Sequence, residues 1–308
     1  MTARIHSAAP LVGTVTLGVV LMLIGDFMFA LNDAMGKWLV ASFSVGQILL
    51  IRSLGAFLIL GPLLVRQGKA ALFKAERPWL QAARTACATA DTGLFYAAVA
   101  TMPLADVMTF YMAGPIYVAA ISHVFLGEKV GWRRWLAIIV GFAGVVVALQ
   151  PSSASLSLAS LFAFFGSITF AMTLILARTL RKTSDATLVG WQTLAALVAG
   201  AVMTLATTWV TPSALDLGAL LLLGIVSCSA HMLITRALKL APASTLAPLQ
   251  YTLLLWAAVF GFVFFGNLPT PQVLVGAVII IVAGLFLIHR QKVVDDGVPP
   301  KTVPRTLH

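Results

Sequence analysis

The chain has 308 residues, of which 60% are apolar and only 10% are charged, and its mean hydropathy is +1.00. A soluble domain of this size needs far more charged surface, so the composition excludes a soluble protein and predicts a polytopic membrane protein. The formal net charge of +10 would suggest a nucleic-acid ligand in a soluble chain. Here the basic residues lie between apolar runs, so we expect no nucleic-acid partner.

A transmembrane helix needs about 20 consecutive, mainly apolar residues. Turn-forming residues such as Pro103, Pro151 and Pro242 divide the chain into runs of this length. The ten runs are 12–34, 45–65, 79–100, 104–126, 132–150, 157–178, 187–209, 215–236, 243–265 and 271–289. The sequence therefore predicts an all-α integral membrane protein with ten transmembrane helices.

The placement of basic residues supports an even number of spans. Of the 20 Lys and Arg residues, 17 fall in segments that share a side with the N-terminus, whereas the opposite loops hold Lys37 alone. Short cytoplasmic loops are rich in Lys and Arg, so we expect a multi-pass protein of the inner (cytoplasmic) membrane with both termini in the cytoplasm. The expected inner basic residues are Arg4, Arg66, Lys69, Lys74, Arg77, Lys129, Arg133, Arg134, Arg178, Arg181, Lys182, Arg236, Lys239, Arg290, Lys292, Lys301 and Arg305.

The chain also contains an internal repeat. The stretch that begins at Met102 returns at Ala241 with a constant offset, so that Pro103 falls on Pro242 and Gly127 on Gly266. Five helices per copy is an odd number, so the second copy must be inverted. We expect a first five-helix repeat over 12–150, a second, inverted repeat over 155–290 and a cytoplasmic tail over 291–308. Inverted repeats are typical of secondary carriers, although a duplication that serves only stability is the alternative.

Each copy ends in a similar hairpin, Phe-Leu-Gly-Glu128 in the first and Phe-Phe-Gly-Asn267 in the second. The first copy opens with Phe29-Ala-Leu-Asn-Asp33, followed by Lys37 and Arg52. In these motifs the chain, from about Val12 to Ile288, resembles the EamA-type branch of the drug/metabolite transporter (DMT) superfamily. The second copy departs from the pattern, with Asn267 in place of the Glu and Gln192 in place of the Arg of the second helix.

The resemblance implies a transporter of small organic metabolites. Known relatives include amino-acid and drug exporters, S-adenosylmethionine carriers and riboflavin importers, so substrate and direction stay open.

Three charged residues fall inside the predicted helices at similar depth: Asp26, Arg52 and Asp91. A charge at this depth costs at least ~2.5–3.5 kcal/mol and normally faces a partner or a cavity. We therefore expect one coupled group, in which Arg52 pairs with one acid and the other acid is a candidate site for proton coupling. The alternative is an ion-pair clamp that only holds the first three helices together.

Other charged residues are interpreted as structural. Asp33 and Lys37 are spaced as a surface pair on one helix face. Arg84 lies near the inner end of the third run, where its side chain can reach lipid headgroups.

The fourth and ninth runs, which the repeat makes equivalent, are interrupted by Pro115 and Pro248. Such interruptions at corresponding places indicate a carrier's binding site, and we expect helix kinks there. The predicted substrate-binding residues near these kinks are Tyr111, Gln250 and Tyr251, with Tyr96, Trp191 and Gln192 as weaker additions. Their rings and polar groups suit a planar or aromatic molecule such as an amino acid, riboflavin or a nucleoside-like metabolite such as S-adenosylmethionine. A packing role for the rings is the alternative.

The sequence favours a secondary transporter that works by alternating access, and it predicts no enzyme. Gly25-Asp26 resembles part of an intramembrane aspartyl protease motif, but no Tyr-Asp accompanies it. Charged rings and filter motifs typical of channels are absent, as is a nucleotide-binding P-loop.

Cys87 and Cys228 show no metal-binding spacing, and His123 and His231 form no ligand motif, so we expect neither metal nor cofactor. The expected partners are a small-molecule substrate and the lipid bilayer, with protons and a homodimer left open.

Overall fold

The computed structural model describes residues 11–68, 77–102, 104–127, 131–150, 157–266 and 270–296. These residues form helices and short connections and contain no strand. The elements are α1 (Leu11–Val40), α2 (Val45–Gln67), α3 (Pro78–Thr101), α4 (Leu104–Tyr111), α5 (Gly114–Phe125), α6 (Trp132–Leu149), α7 (Leu158–Thr179), α8 (Asp185–Thr204), α9 (Ala214–Leu240), α10 (Ala243–Leu246), a 3₁₀ turn (Ala247–Tyr251), α11 (Thr252–Phe265) and α12 (Pro271–Asp296).

Within these ranges, six helical segments are long and apolar enough to cross a membrane. They are Gly13–Val40, Val45–Gln67, Leu158–Thr179, Asp185–Thr204, Ala214–Leu240 and Ala243–Phe265. The α3 helix has 24 residues, but buried Gln81, Arg84 and Asp91 lower its hydropathy. The fold is that of a multi-pass, all-helical membrane protein.

Both runs with a predicted kink are interrupted in the structure. The fourth run divides between Tyr111, where α4 ends, and Gly114, where α5 begins with Pro115 in its first turn. The ninth run passes through the 3₁₀ turn, which contains Pro248. Proline has no backbone N–H to donate, so neither run forms one continuous α-helix.

Helices of the first half, α1–α6, pack on helices of the second half, α7–α12. The principal pairs are α1 with α9, α2 with α8, α3 with α7, and α6 with α12. Two contacts set the direction of α2 relative to α8: Ser44 bonds to Thr207 at 3.2 Å, and Ser184 donates to Gln67 at 2.7 Å. The start of α2 therefore lies at the end of α8 and the end of α2 at its start, so the two helices are antiparallel.

The α2 and α9 helices cross at Gly55 and Gly224 with their backbones in contact. A Cβ atom on Gly224 would lie 2.7 Å from the carbonyl carbon of Arg52 and 2.8 Å from the backbone nitrogen of Ala56. Only glycine permits so close an approach. This crossing brings Arg52 of α2 next to Ser227, one turn along α9.

Several helices extend beyond the apolar runs that predicted them, α1 and α12 by the most. The α1 helix continues from residue 34 to Val40, and α12 continues to Asp296, so residues 291–296 of the predicted tail are helical. The hairpin residues Glu128 and Asn267, the predicted start of the second repeat at 155 and the rest of the tail lie outside the described residues.

Candidate functional site

Arg52 lies in the interior of the helical bundle, and its side chain joins the two halves. Its Nη1 donates to the hydroxyl of Tyr96 at 3.2 Å, and its Nη2 donates to the hydroxyl of Ser227 on α9. The residue is only 9% exposed. Within the described residues, no carboxylate oxygen lies within 4.0 Å of its nitrogens. The protein therefore holds this guanidinium with neutral hydroxyls and leaves its charge without an ion pair.

Two carboxylates share a cavity with Arg52. Asp91 on α3 accepts a hydrogen bond from the hydroxyl of Tyr111 at 2.8 Å. Asp33 on α1 accepts one from the side-chain amide of its neighbour Asn32 at 3.1 Å. Both acids, like Arg52, are bonded to neutral groups.

We call this cavity the central chamber. Its walls are Phe29, Asn32, Asp33, Arg52, Asp91, Thr92, Phe95, Tyr96, Met108, Tyr111, Met112, Phe170, His231 and Leu253. The aromatic rings contact one another edge to face, as in the pair Phe95–Tyr111, whose centroids are 5.4 Å apart. Rings with three charged side chains among them suit a ligand that is both planar and polar.

A second cavity, the side chamber, also has Arg52 in its wall. Arg52, Thr92 and His231 line both chambers. The remaining walls are Ser53, Ala56, Val189, Gln192, Thr193, Ala196, Ser227 and Cys228. The side-chain oxygen of Gln192 has no hydrogen-bond partner, so the side chamber contains a free acceptor.

A third space adjoins the central chamber near the C-terminal end of α1, and Asp33, Met108 and Leu253 line both. It is lined by Asp33 and Lys37, and Lys37 Nζ lies 5.1 Å from the centroid of the Phe265 ring. The predicted surface pair of Asp33 with Lys37 is not formed: their charged atoms are more than 4.0 Å apart. Asp33 instead faces the central chamber.

The structure corrects the predicted charge cluster, since Asp26 lies apart from Arg52 and Asp91. Asp26 is 1% exposed and accepts a hydrogen bond from Thr252 at 3.2 Å, while its other oxygen has no partner. The reason is the length of α1. Because this helix continues to Val40, Asp33 and not Asp26 reaches the depth of Arg52.

Of the predicted substrate-binding residues, Tyr111 and Tyr96 line the central chamber and Gln192 lines the side chamber. Trp191 is partly buried and lies outside the walls of both chambers. The structure thus brings three of the six residues together around Arg52.

Tyr251 and Gln250 lie elsewhere. The hydroxyl of Tyr251 donates to the carbonyl of Ile138 at 3.0 Å, which ties the 3₁₀ turn to α6 and uses the polar group that had suggested a ligand contact. Gln250 is 2% exposed and faces Gly114, and neither atom of its amide has a hydrogen-bond partner. Neither residue lines the central or the side chamber.

Arg84 is also placed differently from its prediction. It is 1% exposed, and its Nη1 donates to the carbonyl of Leu188 on α8 at 2.9 Å. Its Nη2 lies 3.5 Å from the hydroxyl of Thr235 on α9. The guanidinium thus bridges the two halves inside the bundle, and the prediction that it reaches lipid headgroups is wrong.

His231, Thr92 and Asp33 are chamber residues that the sequence did not indicate. His231 Nδ1 lies 2.8 Å from the carbonyl oxygen of Ser227, and its ring centroid is 5.0 Å from that of Phe29. The apolar run ended at residue 236, which placed His231 near a membrane boundary, whereas α9 continues to Leu240. For Asp33, the signal was its position seven residues after Asp26, on the same helix face.

Membrane-spanning helices around a buried, charged chamber define a membrane transport protein. The chain belongs to the EamA-like transporter family, whose pattern it matches twice, over residues 16–150 and 157–289. The resemblance predicted from the hairpin motifs is confirmed.

Several bacterial transporters resemble the chain over most of its length. It is 26% identical over 280 residues to the S-adenosylmethionine uptake transporter of Rickettsia bellii (strain RML369-C), covering 91% of this chain and 96% of that protein. It is 26% identical over 277 residues to the riboflavin transporter of Rhizobium johnstonii, covering 89% and 91%. It is 27% identical over 278 residues to the pseudopaline exporter CntI of Pseudomonas aeruginosa (strain UCBPP-PA14), covering 89% and 97%.

A solved crystal structure superposes on the chain with a TM-score of 0.76, covering 91% of this chain and 99% of its own. The sequence identity is 14%, so the likeness concerns the fold alone.

Proposed function

We propose that the chain is a secondary transporter that moves a planar organic metabolite across the bacterial inner membrane by alternating access. The observation that carries the proposal is the central chamber, which places aromatic rings beside Arg52, Asp33 and Asp91 between helices of both halves. A site enclosed by two halves can open to either side when one half rocks against the other.

The names of the relatives support this class of substrate. S-adenosylmethionine and riboflavin both contain flat heteroaromatic rings, which suit the faces of Phe29, Phe95 and Phe170. One relative is named for uptake and another for export, so the proposal includes no direction.

The proposal includes ten spans built as two inverted five-helix repeats. Three observations support it. The family pattern matches each half once. The repeat-equivalent helices α2 and α8 are antiparallel, as inversion requires. The repeat also makes α1 equivalent to α7 and α3 equivalent to α9. The packing of α1 on α9 therefore has a counterpart in the packing of α7 on α3, and both pairs occur.

The proposed orientation has both termini in the cytoplasm, where most of the basic residues then lie. Proton coupling is assigned to Asp91. This acid faces the central chamber, and its side chain is bonded to a hydroxyl and to no cation within the described residues. An acid that faces an intramembrane cavity is a common proton site in transporters.

The experiment uses the purified protein in proteoliposomes, with uptake of labelled S-adenosylmethionine and labelled riboflavin as the readout. Phe170→Ala should lower uptake, because Phe170 lines the central chamber, while Phe164→Ala on the exposed face of α7 should not. Equal uptake by both variants would place the substrate elsewhere.

The proton site has its own test in the same vesicles. Asp91→Asn should abolish uptake driven by a pH gradient, while exchange of labelled for unlabelled substrate continues at saturating substrate. Unchanged gradient-driven uptake would remove Asp91 from the coupling.

A further inference from the structure

The charged side chains of the central chamber are bonded to neutral groups and not to one another. The hydroxyl of Tyr111 donates a hydrogen bond to Asp91, whereas the hydroxyls of Tyr96 and Ser227 accept hydrogen bonds from Arg52. Within the described residues no carboxylate oxygen comes within 4.0 Å of the guanidinium, although two acids line the same chamber. Buried opposite charges in proteins normally pair directly. This arrangement instead leaves both signs of charge available to a ligand.

We propose that the substrate is a zwitterion with an amino-acid head group, and this inference rests on the proposed transport function. The carboxylate of the substrate binds Arg52, and its ammonium group binds Asp91 and Asp33. Its planar part lies against the aromatic walls. Arg52 then pairs with the carboxylate of the ligand and the two acids share its ammonium group, so that one small molecule supplies both signs of charge.

The hydrogen-bonding capacity of Arg52 fits a carboxylate. A guanidinium has five N–H donors in a planar fork that matches a carboxylate in two-point contact. Two of its nitrogens bond to hydroxyls, and a hydroxyl can turn its own proton towards an incoming anion. Because Arg52 forms the wall between the two chambers, the rest of the head group has the hydroxyls of Ser53 and Thr92 within the same cavities.

The acids fit the ammonium group. Asp33 lies on α1 and Asp91 on α3, so they approach the central chamber from two sides. Within the part of the chain that the structure describes, each accepts from one neutral side-chain donor, Asn32 or Tyr111, and a carboxylate has further acceptor sites for a bound cation. With two acids against one guanidinium, the chamber favours a ligand that carries at least one positive charge.

The experiment measures uptake of three probes by the reconstituted protein. S-adenosylmethionine carries the amino-acid head group. 5′-Methylthioadenosine has the same nucleoside without that group, and riboflavin is a planar molecule without it. We expect S-adenosylmethionine to enter at least about tenfold better than either comparison compound, because a site built around buried polar groups rejects a ligand that leaves them unpaired.

Variants identify the residues that set this ratio. Arg52→Gln and Asp33→Asn should each reduce the preference for S-adenosylmethionine over 5′-methylthioadenosine by at least about tenfold. Arg84→Gln is the matched control: it removes another buried guanidinium, bonded to Leu188 and outside both chambers, and should leave the ratio unchanged. If Arg52→Gln does not fold, Arg52→Lys keeps the charge without the two-point fork and should also lower the ratio.

The outcomes separate this inference from the proposed function. Uptake of riboflavin or 5′-methylthioadenosine equal to that of S-adenosylmethionine would overturn the zwitterion and leave a transporter of planar metabolites. An unchanged ratio in Arg52→Gln and Asp33→Asn would likewise overturn it. If no probe enters beyond the level of protein-free vesicles, both proposals fail.

Discussion

The hydroxyl of Tyr111 lies 2.8 Å from a carboxylate oxygen of Asp91, and this bond anchors the interrupted fourth run to α3. Tyr111 is the last residue of α4, directly before the break that precedes Pro115. The interruption therefore sets the position of the ring at the chamber wall, and the ring in turn holds the acid that faces the ligand.

Tyr111→Phe keeps the ring and removes the donor to Asp91. A buried acceptor without its donor costs about 1–3 kcal/mol, so the variant should unfold more easily in detergent. In an Asp91→Leu background the same change should cost much less, because the acceptor is already gone. An equal cost in the two backgrounds would show that the two side chains do not interact.

Gly224→Ala should destabilise the protein by about 1–3 kcal/mol or more, because the new methyl group would overlap the backbone of α2 next to Arg52. Gly218→Ala on the same helix is the control, since a Cβ there has no atom within 4 Å. The measurement is thermal unfolding of both variants in the same detergent. Equal stability would contradict the close crossing of α2 and α9.

Tyr251→Phe and Tyr96→Phe should separate a structural hydroxyl from one at the site. Among the described residues, Tyr251 bonds only the carbonyl of Ile138, so its variant should lose about 1 kcal/mol of stability and keep the KM for substrate. Tyr96 accepts from Arg52 inside the central chamber, so its variant should change KM. A changed KM in Tyr251→Phe would return that residue to the binding site.

Single cysteines at Arg66 and Thr208, in a chain without Cys87 and Cys228, test the orientation. Both positions are exposed and lie near opposite ends of the antiparallel pair α2 and α8. In intact cells a membrane-impermeant thiol reagent should label the cysteine at 208 and not that at 66. Labelling of both would contradict the ten-span arrangement.

The sequence predicted the membrane class, the family and the interruptions at Pro115 and Pro248, because each depends on local composition or spacing. The depth of charged residues was not predictable to the same degree. Hydropathy ended α1 at residue 34, although the helix continues to Val40 and Asp33 on it faces the central chamber. The end of the helix was thus misplaced by about 9 Å, and Asp26 was predicted at the depth that Asp33 has in the structure. The hydroxyl of Tyr251 already has a protein partner in the carbonyl of Ile138. Such a partner depends on tertiary contacts, which cannot be read from one apolar run.

Substrate protection of one chamber position tests the central claim most directly. Thr92 lines both chambers, so Thr92→Cys in a chain with Cys87→Ala and Cys228→Ala places a single thiol beside Arg52. A small thiol reagent should modify it slowly, and saturating S-adenosylmethionine should reduce the rate several-fold, while a cysteine at exposed Gly218 keeps its rate. If the rate at position 92 is unchanged by a substrate that the same protein transports, the central chamber is not where that substrate binds.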